Sequence, residues 1–183
     1  IERHYALFDP AKVRPVDGWT AIENQDLHAI NDADMLIITA SQFLPHAQEL
    51  ADFHAEKDGL LSVVVNVNHI FNEFGTGTPD PTGIRDFIRM VYHRSAGHLK
   101  YVTLFGRASF DFRDLLGYDL NRVPCYETMV QPYHETSFCT DDYFGLMDDA
   151  EGVNSGGRVD LGIGRLAVST PRAISRSEER RVG

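Results

Sequence analysis

The sequence predicts an α/β domain built on a parallel sheet with helices layered against it. Three observations lead there. Apolar, β-branched runs recur at Met35-Leu-Ile-Ile-Thr39, Leu61 to Val67 and Leu99 to Phe105, each the length of a strand. Helix-period stretches separate them, and strand, helix, strand, helix, strand in that order favours parallel pairing with right-handed crossovers. The composition supports a core: 183 residues, 43% apolar and 24% charged, the balance of a soluble globular domain.

Residues 1–20 read as the end of an upstream domain followed by a linker: Tyr5 to Phe8 alternates like the close of a strand, and Asp9 to Thr20 holds two Pro and a Gly. Met35 to Thr39, bounded by Asp34 and Ser41, fits a strand buried on both faces. A helix follows with Pro45 in its first turn, and Leu44, Ala47, Leu50, Ala51 and His54 fall along one face. Gly59 after Asp58 supplies its C-terminal stop. The second strand spans Leu61 to Val67, and His69 to Phe74 forms a short helix. After the punctuation of Gly75-Thr-Gly-Thr-Pro-Asp-Pro81, Asp80 caps and Pro81 opens a helix whose Ile84, Phe87, Ile88 and Val91 share one face. Leu99 to Phe105 is the third strand, and Gly106 ends it. Residues 107–158 are rich in Asp, Tyr, Phe and Gly with weak periodicity, the texture of binding or catalytic loops. Val159 to Val168 returns to a short strand. Residues 21–171 therefore form the folding unit. Residues 172–183 carry mixed charge without apolar period, resemble translated adapter sequence, and are expected to be a non-native tail. Both ends read as cut, since residue 1 is Ile and no secretory signal precedes the domain.

Lys and Arg number 17 against 27 Asp and Glu, a formal charge of −10. That charge argues against nucleic acid or an anionic membrane surface as partner. No apolar run approaches the roughly 18–20 residues of a membrane span. Cys125 and Cys139 are too few for a disulfide scaffold or a Cys-based zinc site. They either form one bridge in an exported protein or remain two free thiols. Cys125 with His134 would be a nucleophile and its base, but Val123-Pro-Cys-Tyr126 reads better as a packed strand edge. His54, on an apolar helix face, reads as a hydrogen-bonded core histidine.

Asp111, Asp114, Asp141, Asp142, Asp148, Asp149, Glu151 and Asp160 crowd into the loop region. Carboxylates converging in loops repel unless a hard cation joins them, so calcium is one reading and a solvated acidic rim the other. Gly75-Thr-Gly77 and Gly162-Ile-Gly164 complete no phosphate-binding fingerprint and read as turns, which disfavours a flavodoxin-like nucleotide binder.

Several motifs, in order, resemble the gingipain-type cysteine peptidase domain found in PorU-like sortases of the type IX secretion system. They are Asn24-Gln-Asp-Leu-His-Ala29, Asp32-Ala-Asp-Met-Leu-Ile-Ile-Thr39, Phe71-Asn-Glu-Phe74, Thr78-Pro-Asp-Pro-Thr-Gly-Ile-Arg-Asp-Phe87 and Leu99-Lys-Tyr-Val-Thr-Leu-Phe-Gly106. The likeness is strongest at Thr140-Asp-Asp-Tyr-Phe-Gly-Leu146 and Asp160-Leu-Gly-Ile-Gly-Arg-Leu166, and covers about 20 to 171. It implies a caspase-like three-layer α/β/α fold in two sub-domains, with this chain supplying the first. The family's catalytic His, in a Gly-His-Gly context, and its Cys belong to the second. Gly97-His98 precedes a strand where the family His follows one, so no catalytic residue is assigned here. The resemblance further implies a protein exported to the surface or outer membrane of a Gram-negative bacterium. Its partners would be peptide substrates, the second half of its own domain and other secretion-system proteins. Relatives carry an acidic residue where this chain has Arg107, which weakens a cation site at that strand end. Asp141 and Asp142 remain the best-matched polar residues and the expected metal-organising pair, with calcium as the ion. The rival readings are a docking or calcium-binding module without catalysis, and a self-contained hydrolase using Cys125 or Cys139 with His134.

Overall fold

The computed structural model describes residues 9–13, 18–111, 115–128, 137–152 and 155–171. In chain order these give β1 (Met35–Thr39), α1 (Leu44–Asp58), β2 (Ser62–Asn66), α2 (Val67–Phe74), α3 (Pro81–Arg94), β3 (Tyr101–Phe105), β4 (Tyr126–Glu127), β5 (Cys139–Thr140) and β6 (Gly162–Leu166). Short 3-10 turns stand at Leu27–Ala29, Ser41–Phe43 and Asp142–Gly145.

Four strands form one parallel sheet in the order β2-β1-β3-β6. Met35 stands opposite Ser62 and Tyr101, and Tyr101 opposite Gly162. Strand β1 is buried along its whole length, because alternate side chains enter different cores. Leu36 and Ile38 join Ile70, Ile84, Phe87, Ile88 and Val91 beneath α2 and α3. Met35 and Ile37 meet Phe43, Ala47, Ala51 and Phe105 beneath α1. The result is the expected three-layer α/β/α arrangement.

Local chemistry sets the ends of the elements. The Asp80 carboxylate accepts from the Thr82 N–H at 2.8 Å and caps α3. Helix α2 begins two residues earlier than expected, because Asn66, the last residue of β2, accepts from the Asn68 N–H at 3.1 Å and starts the helix itself. At the sheet's amino end the Asp34 carboxylate accepts from the Leu61 N–H, while its carbonyl accepts from Lys100 and Tyr101.

Two expectations change. Gly162 and Gly164 belong to strand β6 and make no turn. A Cβ at Gly162 would lie 3.2 Å from the Tyr101 ring across the ladder, tighter than an ordinary contact, so a side chain there would press on that ring. His54 is hydrogen-bonded as expected, with Nδ1 2.6 Å from Asp58, but it sits half-buried at a rim and outside the core. That rim borders an open groove of about 660 Å³ across Tyr101, Thr103, Gly162 and Gly164.

Candidate functional site at the carboxyl end of the sheet

Ligand and catalytic groups in open parallel sheets gather beyond the carboxyl ends of the strands. Here that edge is polar and closely hydrogen-bonded. Thr39, the last residue of β1, donates its buried hydroxyl to the Phe105 carbonyl at 2.8 Å. Ser41 accepts from the side-chain amides of Asn66, at 2.9 Å, and Asn68.

Arg165 organises the far side. It projects from β6, and its fork engages both Asp141 carboxylate oxygens at 2.7 Å. The same guanidinium donates to the carbonyls of Gly106 and Val123 at 2.7 Å, and to Pro124 at 3.3 Å. One side chain, 12% exposed, thus joins the end of β3, the entry to β4 and the exit from β5. A planar fork with this many fixed acceptors is a task for Arg that Lys cannot perform. Asp141 is therefore occupied by a cation from its own chain, while Asp142 is exposed beside it.

The β4–β5 ladder places Tyr126 opposite Thr140 and Glu127 opposite Cys139. Burial first, then contact with Cys139, pushes the Cys125 thiol up to about 12; Asp141 adds to the rise and Arg165 opposes it. A working thiol nucleophile needs the opposite environment. His134 lies outside the described residues, as does Asp114.

The remaining carboxylates of the loop region are mostly engaged one by one. Asp111 accepts from the Leu115 and Leu116 N–H groups at 2.9 and 2.7 Å. Glu151 accepts from Arg158 N–H at 2.7 Å, and Asp160 from Met147 N–H at 3.1 Å. Asp149 pairs with Arg89. Asp148 is exposed. Asp111, Glu151 and Asp160 thus fold their own loops back onto themselves, while Asp149 ties its loop to α3. Among the described residues, three potential metal ligands converge only at Asp26, His28 and Glu73.

Two arginines escaped the sequence reading. Arg85 is buried at 8% exposure, with Nε donating to the Leu146 carbonyl at 2.7 Å and its guanidinium 5.3 Å above the Tyr143 ring. Arg89 donates to the Met147 carbonyl at 3.0 Å. Together they clamp residues 146–149 onto α3. The available signal was Arg85 directly beside Ile84 on the apolar face of its helix.

Among known proteins, the profile of Peptidase family C25 matches residues 28–177. The chain belongs to that family, the gingipain family of cysteine peptidases. Among solved structures of gingipain-family relatives, that of dimeric latent PorU from Porphyromonas gingivalis is 31% identical, with a TM-score of 0.74. The match covers 88% of this chain and 16% of the PorU chain. The Arg-specific cysteine proteinase gingipain R, 18% identical with a TM-score of 0.54, shares the fold over 88% of this chain and 29% of its own. No curated protein matches. The chain thus spans a minor part of its gingipain-family relatives.

Proposed function

We propose that this chain is the N-terminal sub-domain, over about residues 21–171, of an exported gingipain-like cysteine endopeptidase of the PorU sortase type. The parent protein cleaves C-terminal sorting domains from type IX secretion cargo at the bacterial surface and can transfer the new end to an acceptor amine. In that chemistry an imidazole takes the proton of a thiol, the thiolate attacks the peptide carbonyl, and water or an amine resolves the thioester. Both reactive groups come from residues outside this chain, which supplies a scaffold for them. The chain on its own is inactive.

The observation that carries this reading is the match to PorU at 31% identity over 88% of the chain. The state of Cys125 supports the negative half. Burial pushes its thiol up to about 12, the opposite of an activated nucleophile. The test is an assay of this 183-residue chain against peptide substrates, with Cys125→Ala and Cys139→Ala beside it. No turnover is expected. Hydrolysis abolished by one of those substitutions would replace this reading with a self-contained hydrolase. A coding sequence downstream that lacks a Gly-His-Gly and a later Cys would also overturn it. Calcium at Asp142, with Asp141 shared between the ion and Arg165, is the second part of the proposal. Thermal unfolding in millimolar calcium tests it: a raised midpoint supports an ion there, and an unchanged one removes it.

A further inference from the structure

Asp26 and His28 flank Leu27 at the 3-10 turn before β1, and Glu73 stands at the C-terminal end of α2. The fold joins these segments, although His28 and Glu73 are 45 positions apart in the chain. One ligand atom from each of Asp26, His28 and Glu73 lies within 4.8 Å of the other two. His28 Nδ1 and a Glu73 carboxylate oxygen are 2.7 Å apart. Asp26 occupies the N-cap position of its turn, yet its carboxylate makes no capping bond. It stands beside a second carboxylate instead, and a cation between them relieves that repulsion.

We propose that Asp26, His28 and Glu73 bind a zinc ion, which latches the turn at residues 26–29 to α2. An imidazole nitrogen with two carboxylate oxygens is a zinc donor set, whereas calcium takes six to eight oxygens. Three protein ligands leave the fourth tetrahedral position to water. The ion replaces the proton that His28 shares with Glu73: Nδ1 gives its lone pair to the metal and Nε2 carries the ring proton. Two carboxylates then balance the charge of the ion.

The surroundings hold two of the ligands in place and leave the third free to close. Glu73 is 15% exposed and is fixed by the Leu27 N–H at 2.9 Å and by Gln25 at 2.8 Å. The His28 ring lies stacked on Phe74, within 8° of parallel. Outer contacts of this kind orient the ligands of metal sites. Tetrahedral zinc ligands stand about 3.3 Å apart, so the His28–Glu73 pair opens slightly and the Asp26 carboxylate moves in. A side chain without a capping bond does this by rotation. Asp26 and His28 are exposed, which gives the ion a path from solvent.

The experiment reads metal binding rather than peptidase activity, so its outcome is independent of the proposed function. Zinc is titrated against a chromophoric chelator into the 183-residue chain carrying Cys125→Ser and Cys139→Ser, so that thiols cannot supply the site. One ion per chain is expected. Asp26→Asn keeps the shape of the side chain and should weaken binding by about tenfold or more, and His28→Gln should abolish it, with unchanged circular dichroism in both. Zinc should slow hydrogen exchange at the Leu27 N–H in the parent and leave it unchanged in Asp26→Asn, which reads the latch directly. Asp142→Asn, at the calcium position, should bind zinc as the parent does. No bound ion, or an ion held equally by the Asp26→Asn and His28→Gln chains, would overturn the proposal. Binding lost in Asp142→Asn but kept in Asp26→Asn would move the site and overturn it as well.

Discussion

Residues 21–106 and the described residues of 107–161 are held by different balances of apolar burial and polar anchoring. In the first region Leu36, Ile38, Ile84, Phe87 and Ile88 are all fully buried, and stability comes from apolar area removed from water. In the second, Val123, Phe144, Met147 and Leu161 join that core, but the short ladders and turns between them are fastened by polar anchors: Arg165 on Asp141, Arg85 on Leu146, Arg89 on Met147. An aromatic column also stands at their junction, with Tyr126 stacked at 3.8 Å on Tyr143 and the Arg85 guanidinium 5.3 Å from the centre of that ring. A packed core loses structure as a unit when its volume changes, whereas an anchored loop can be released by one lost hydrogen-bonding fork.

The largest test is in the core. Phe87 is fully buried and meets Phe74 edge-on at 5.6 Å. Phe87→Ala should cost about 4 kcal/mol and lower the thermal midpoint by about 10 °C, with both regions melting together. Arg165→Met comes next, at about 3 kcal/mol, because it strands a carboxylate and the Gly106 and Val123 carbonyls in a partly buried site. Here limited proteolysis should quicken within 107–161 before the global midpoint is reached, and Arg165→Lys should rescue little. If Arg165→Met instead lowered the midpoint as far as Phe87→Ala with no local cleavage, the two regions would be one cooperative unit and the contrast would fail.

The same contrast explains what the sequence makes legible. A strand buried on both faces is a continuous apolar run, so Met35 to Thr39 is readable to the residue. Helix α3 announces itself through Asp80, Pro81 and four apolar residues on one face. Local signals suffice because local physics decides those elements. Gly162 is different, since its reason for being glycine is the Tyr101 ring on a strand 61 positions earlier. Asp141 stands out as an acid in a polar loop, but its partner Arg165 is 24 positions away and only the fold joins them. Arg85 is hidden by its own helix, where a charged residue beside an apolar stripe ordinarily faces solvent.

Glu73 gives the smallest and sharpest test, because it is a polar anchor inside the apolar-built region. Its carboxylate sits at the C-terminal end of α2, 15% exposed, and accepts from the Leu27 N–H at 2.9 and 3.0 Å, from Gln25 at 2.8 Å and from His28 at 2.7 Å. Burial alone would raise its pKa, but the Leu27, Gln25 and His28 hydrogen bonds and the His28 charge outweigh it and hold the group below 4.5. Between the folded and unfolded values the unfolded chain binds more protons, so stability rises with pH across that window. The contribution is complete above the unfolded value and is lost as pH falls through the folded one. Glu73→Gln keeps the shape but loses the charge, and should cost about 1 kcal/mol at pH 7. The gap between the two proteins, followed by urea unfolding at a series of pH values, should close as the pH drops below 4.5. A gap that persisted once the folded-state carboxyl is also protonated would mean that residues 25–28 are held by packing, as the His28 ring stacked on Phe74 at 4.8 Å would allow, and that the apolar rule extends to this flank as well.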